Sequence, residues 1–189
     1  YILKYRPKMI ELNISCPNKE NGMLFSQDKS LAKKVVRRVK AAVGKKPVIS
    51  KLSPNVANIT EIAIACEQGG ADALTVTNTA QGMIIDIEAK RPVLHYKRGG
   101  ISGPALKPIA VRCVYDIYGH VKIPIIGTGG VLTGRDAIEM IQAGASAVGI
   151  GSAVYYRGIG VFRKVVSEME EWMRANKYKS LDEFCLLYT

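Results

Sequence analysis

The chain has 189 residues, 48% of them hydrophobic, with 18 glycines and 8 prolines, which suits one globular domain with a substantial core. Its formal net charge is +11, and residues 1–51 carry 13 Lys/Arg against 3 Asp/Glu. No apolar run is long enough to span a bilayer, no signal-peptide pattern opens the chain, and Cys16, Cys66, Cys113 and Cys185 lie too far apart to suggest a metal cluster. These features argue against a membrane protein and a metal site, and favour a reduced, cytoplasmic setting.

In chain order, the first predicted element is a strand, "MIELNIS" (9–15), with Ile10, Leu12 and Ile14 alternating with Glu11 and Asn13. Pro17 stops it, because proline lacks an N–H donor and pushes Cys16 out of the helical region. A thiol therefore sits just past a strand end, between Asn13 and Asn18. A helix follows over 29–43, with Leu31, Val35, Val36, Val39 and Val43 as its buried stripe. Its basic residues would then form a solvated face. No aromatic residues interleave with them to stack bases, so nucleic acid is not expected as a partner.

The strand "PVISKLS" (47–53) holds Lys51, which needs an acidic partner or an anionic ligand. A helix over 58–68 and the strand "ALTVTNT" (73–79) come next. Residues 80–104 are too long for an ordinary strand–helix loop and read as a lid or an excursion beside a site. A helix over 107–119, the strand "PIIGTGG" (124–130), a helix over 133–142, the strand "AVGIGSA" (147–153) and a helix from about 160 to 175 complete the chain. Cys66 and Cys113 fall in helical patterns as core residues. His95 and His120 read as surface or loop residues.

Near-continuous apolar strands alternating with helices predict a parallel sheet covered by helices. The strand ends are polar or small: Asn13-Ser15-Cys16, Lys51-Ser53, Asn78-Thr79, Gly129-Gly130 and Gly151-Ser152. In a parallel sheet all five share one rim, where barrels and open α/β sheets both place their ligands. The last two units read as a phosphate site, with glycines that admit a ligand and N–H groups of the following helix facing it. The strand–glycine–helix spacing of a dinucleotide fingerprint is absent.

With these residues in place, the chain resembles the flavin-dependent dihydroorotate dehydrogenases, most closely the NAD-linked class 1B catalytic subunits. The matching pieces are "ELNISCPN", "NGMLFSQD", "KLSPNV", "GADALTVTNTAQGMIIDIEAKRP", "GGISGPALKPIAVRCVY", "IPIIGTGGV", "DAIEMIQAGASAVGIGSA" and "YKSLDEF", in order over nearly the whole chain. The resemblance implies a (β/α)8 TIM barrel, of which this single domain, 1–189, holds about the last five strand–helix units, the N-terminal units being absent.

It also implies oxidation of dihydroorotate to orotate in pyrimidine biosynthesis. Cys16 matches the catalytic base, which takes a proton while a hydride leaves the neighbouring carbon for FMN. Asn13, Asn18, Asn78 and Thr79 match substrate contacts. Asn13, Lys51, Thr77, Gly103, Gly129, Gly130, Gly151 and Ser152 match positions that bind FMN, with Lys51 against the pyrimidine end of the flavin. Thr77 stands where isoleucine or valine is more usual and is expected to act through its backbone. The class passes electrons to NAD through a subunit carrying FAD and an iron–sulfur cluster, and a homo-oligomer is expected.

Three rivals differ on specific features. A dihydropyrimidine dehydrogenase typically has histidine where this chain has Asn18, and belongs to a longer chain with iron–sulfur cysteines. A tRNA dihydrouridine synthase would suit the basic charge, but "SCPN" and "GISGPALKP" fit it poorly. An inactive barrel fragment would bind at most a phosphate.

Overall fold

A computed structural model gives the fold and describes residues 2–15 and 25–185. The chain runs through a 3-10 turn (Ile2–Tyr5), β1 (Ile10–Asn13), a second 3-10 turn (Phe25–Gln27), α1 (Lys29–Val43), β2 (Val48–Lys51), α2 (Ile59–Gln68) and β3 (Ala73–Val76). Four short strands follow: β4 (Ala80–Gly82), β5 (Ile85–Asp86), β6 (Arg91–Pro92) and β7 (Gly99–Ile101). A 3-10 turn (Pro104–Leu106) leads into α3 (Lys107–Ile117). Then come β8 (Ile125–Thr128), α4 (Gly134–Gln142), β9 (Ala147–Gly149), α5 (Ala153–Arg157), α6 (Val161–Ala175) and a closing 3-10 turn (Leu181–Phe184).

Five strands form one sheet in the order β1-β2-β3-β8-β9, and all four pairings are parallel. Each predicted strand is therefore present, and its carboxyl end lies on the same rim as the others. The strands' alternation explains the burial. Val48, Ser50 and Leu52, Leu74 and Val76, and Ile125 point into the helical layer and are buried. Enclosing a side chain such as Leu74, which is fully buried, contributes roughly 1.5–3 kcal/mol. Of the intervening residues, Asn13, Ile49, Lys51 and Ile126 are half-buried or exposed on the other face, while Thr75 is buried there.

The helix ends follow local chemistry. Asp28 caps α1 by accepting from the N–H groups of Ser30 and Leu31, and Asn58 caps α2 in the same way. Thr133 and Asp136 form a capping box at α4. The basic face of α1 faces solvent, as expected, and three of its residues also reach across to α2 and the turn after it. Lys29 reaches Glu61 at 2.8 Å, Lys33 reaches Gln68 at 2.7 Å, and Lys40 reaches Asp72 at 2.6 Å. These contacts latch α1 to α2 and to the turn after it, while Lys34, Arg37 and Arg38 remain exposed.

Residues 80–104 form two antiparallel ribbons, β4 with β7 and β5 with β6. Met83, Ile84, Ile85, Ile87, Val93 and Tyr96 stand exposed on this excursion. At the other end, Trp172 of α6 packs against Tyr178 and Phe184 with ring centroids 5.5 and 5.2 Å away. Phe184 is fully buried, so the closing "YKSLDEF" is a structural clasp. Among the described residues no helix is long and apolar enough to cross a membrane. Nor does any group of three or more His, Cys, Asp or Glu among them form a metal-binding set.

Candidate active site

The rim at the carboxyl ends of the strands carries two polar clusters. The first lies over β1, β2 and β3. Asn13 accepts at Oδ1 from the Ser15 hydroxyl (2.9 Å) and from Asn78 Nδ2 (3.4 Å). Asn78 also donates to the Ser15 hydroxyl oxygen at 2.8 Å, and its own Oδ1 accepts the Thr79 N–H at 2.8 Å. Asn13 and Asn78, expected at the site from the sequence, are thus brought together across an intervening strand. Ser15, buried at 2% exposure, is the hinge of this contact; the sequence places it on the rim but does not reveal that it joins Asn13 to Asn78.

Lys51 sits between the two, in register with Asn13 on one side and Thr75 on the other. Its partner is Glu11, at 3.9 Å, whose other oxygen accepts the Thr75 hydroxyl at 2.7 Å. That ion pair is too long for a hydrogen bond. The Lys51 side chain keeps 27% of its surface exposed, so its donors can still reach an anionic ligand.

Asn55 adds a support that the sequence did not reveal. It donates to Thr79 O at 3.0 Å and accepts the Gln81 N–H at 2.8 Å, fixing the start of the excursion to the loop after β2. Thr77 follows a cis peptide and is 2% exposed. Its N–H donates to Thr128 O at 2.7 Å, tying β3 to β8.

The second cluster lies over β8 and β9. The N–H groups of Gly129, Gly130, Gly151 and Ser152 make no hydrogen bond to another described residue. Those of Leu132 and Thr133 are taken by Asp136 (3.0 and 2.8 Å), and that of Gly134 by Glu168 (2.6 Å). This corrects one expectation: the N–H groups of Leu132, Thr133 and Gly134, which lead into α4, face side chains of this chain, not a ligand. The free donors are those of the glycine turn before α4 and of the turn that opens α5. Gly130 has φ +74°, and a Cβ there would meet Lys107 N at 2.6 Å and Gly103 O at 2.8 Å. Its lack of a side chain is thus required by packing on the Gly103–Lys107 turn. Around Gly151, by contrast, no atom lies within 4 Å of where a Cβ would stand.

Charged pairs brace this cluster. Lys107 bridges Asp136 (2.8 Å) and Glu139 (2.6 Å). These hydrogen bonds raise the Lys107 pKa. Burial pushes the Asp136 carboxyl up, but hydrogen bonds from Lys107, Thr133 and Leu132 outweigh it and leave the pKa lowered. Arg157 lowers that of Glu168 in the same manner.

Cys16 and Asn18 lie outside the described residues. The described cysteines are poor bases: burial pushes the Cys66 thiol up to about 11 and raises those of Cys113 and Cys185. Cys66 and Cys113 are fully buried core residues and His95 and His120 are exposed, as expected from the sequence. A cavity of about 640 Å³ between α2 and α3, lined by Asn58, Thr60, Arg112, Tyr115 and His120, contains none of the expected site residues.

The profile of the family described as "Dihydroorotate dehydrogenase" matches residues 3–173. The chain belongs to the dihydroorotate dehydrogenase family. It is 48% identical over 174 residues to the "Dihydroorotate dehydrogenase B (NAD(+)), catalytic subunit" of Pyrococcus abyssi, covering 92% of this chain and 58% of that protein. It is 50% identical over 178 residues to the protein of the same name from Methanothermobacter thermautotrophicus, covering 93% and 58%. The chain therefore spans less than two thirds of these relatives. The ligand-free DHODH of Eimeria tenella superposes with a TM-score of 0.80 at 26% identity, covering 96% of this chain and 56% of that one. Five sequential parallel strands with covering helices fit five units of the family's (β/α)8 barrel.

Proposed function

We propose that the protein oxidises dihydroorotate to orotate with FMN, as the catalytic subunit of an NAD-linked dihydroorotate dehydrogenase. One observation carries this reading. A single rim joins an amide-and-lysine cluster (Asn13, Lys51, Asn78) to a turn-borne set of free N–H donors (Gly129, Gly130, Gly151, Ser152). The first suits a planar ring of amides, and the second suits a phosphate.

The residues fit FMN. The open space at Gly151 leaves room for a phosphate beside the unbonded N–H groups. FMN, when bound, accepts the hydride from the substrate. Lys51 would hold its cation against the charge that develops at the pyrimidine end of the flavin. Asn13, Asn78 and Thr79 orient the substrate ring, joined by Asn18. Thr77 contacts the flavin through its backbone, and Gly103 supports the turn at Gly130. Cys16 takes the proton. A thiol of ordinary pKa, about 8.5, serves near neutrality where its surroundings favour the thiolate.

The relatives' name, a catalytic subunit, supports a separate partner subunit; in this reading that partner passes the electrons on through FAD and an iron–sulfur cluster. The exposed apolar residues of the excursion support a homo-oligomer. Further strand–helix units would complete the barrel, and the setting is cytoplasmic.

The test uses the full-length protein under anaerobic conditions, with dihydroorotate added and flavin absorbance followed. Cys16→Ala should keep FMN and slow flavin bleaching by about 10²-fold or more near neutral pH. Cys16→Ser should recover only at higher pH. Near-normal bleaching by the alanine variant would remove Cys16 from the chemistry, and no bleaching of the wild type would remove the substrate.

A further inference from the structure

We infer that Arg157, held by Glu168, is a positioning residue that fixes the spacing between the two phosphate-binding turns and so selects flavins that carry a phosphate. The inference rests on the FMN reading above. Arg157 closes α5, the helix that begins just after Gly151 and Ser152. From there its Nη1 donates to Leu132 O at 2.7 Å, in the turn that follows Gly129 and Gly130. Its Nη2 donates to Glu168 Oε1 at 2.5 Å. Glu168, on α6, accepts the Gly134 N–H at 2.6 Å with its other oxygen. One guanidinium and one carboxylate thus join the turn after β8, the turn after β9 and the helix behind them.

An exposed ion pair is worth little in itself. This one is different in two ways. Both side chains are sheltered, at 27% and 33% exposure. In addition, the guanidinium fork binds a backbone carbonyl and a carboxylate together, which an ammonium on a flexible stem does poorly. Asp136 and Lys107 brace the same turn from the other side. Together these groups consume the N–H groups of Leu132, Thr133 and Gly134 and leave those of Gly129 and Gly130 free. Backbone donors from two strands can converge on one phosphate only if their separation is preset, and presetting it lowers the ordering cost of binding.

The test compares FMN with riboflavin, which lacks the phosphate, by titrating the full-length apoprotein. The wild type should bind FMN more tightly. Arg157→Met should weaken FMN about tenfold, equivalent to about 1.4 kcal/mol, and leave riboflavin unchanged. Arg157→Lys, which keeps the charge but not the fork, should not restore FMN binding. If Arg157→Met does not fold, Glu168→Gln carries the same expectation with the side-chain shape kept. Unchanged FMN affinity, or equal losses for both ligands, would overturn the inference. Failure of both variants to fold would also overturn it, by assigning the pair to the fold alone. A wild type that binds FMN no better than riboflavin would instead refute the phosphate reading, and the inference with it.

Discussion

Thr77 follows β3 directly, with its hydroxyl enclosed and, among the described residues, without a hydrogen-bond partner. A buried hydroxyl without a partner costs stability that an isosteric apolar group does not. Thr77→Val in the full-length protein should therefore raise the urea midpoint, by about 1 kcal/mol of stability. A lowered midpoint would mean that the hydroxyl has found a partner. This residue's oddity was legible in the sequence as a departure from the usual apolar choice, but its burial was not. The same contrast holds elsewhere. Cys66 and Cys113 were legible as core because they repeat with the helical period. The contacts of Ser15 and Asn55 were not, because their partners, Asn78 and Thr79, come from the loop after β3, distant in sequence.

At the scale of elements, the five core strands and five longer helices were legible to within a few residues, since most carry a regular apolar pattern, although β1 and β9 bury no residue fully. The short pieces were not. Two- and three-residue strands in the excursion carry no period, and α5 is five residues between glycines. What holds the excursion is a side-chain contact that no pattern announces, Asn55 to Thr79 O and Gln81 N. Removing it should free the first ribbon while leaving the core. Asn55→Ala is expected to speed amide hydrogen exchange at Gln81 with little change in α1 and α2. Unchanged exchange at Gln81 would show that the β4–β7 pairing alone anchors the ribbon.

For the whole molecule, acid should act through the braced turns. The Asp136 and Glu168 pKa values are lowered in the folded state. Groups of this kind bind more protons when unfolded, so their stabilisation is full above the unfolded values and fades as pH falls through the folded ones. Stability should thus hold from neutrality to about pH 5 and decline below about pH 4. Asp136→Asn should flatten that decline in urea titrations repeated at each pH. An equally steep decline in the variant would place the acid sensitivity elsewhere, for example in Asp72, whose pKa is lowered as well.

The strand order β1-β2-β3-β8-β9 has a kinetic meaning. Each core strand pairs only with the core strands next to it along the chain, so the sheet can grow in the direction of synthesis, one unit docking on the last. Loop closure is then met in small instalments, which favours rapid assembly. The exception is the step from β3 to β8, where the whole excursion must be spanned before the edges meet. Until that happens, the run β1-β2-β3 ends in an unpaired edge at β3. The glycine turns of β8 and β9, and with them the cradle for the phosphate, leave the ribosome after β1, β2 and β3 and dock after them.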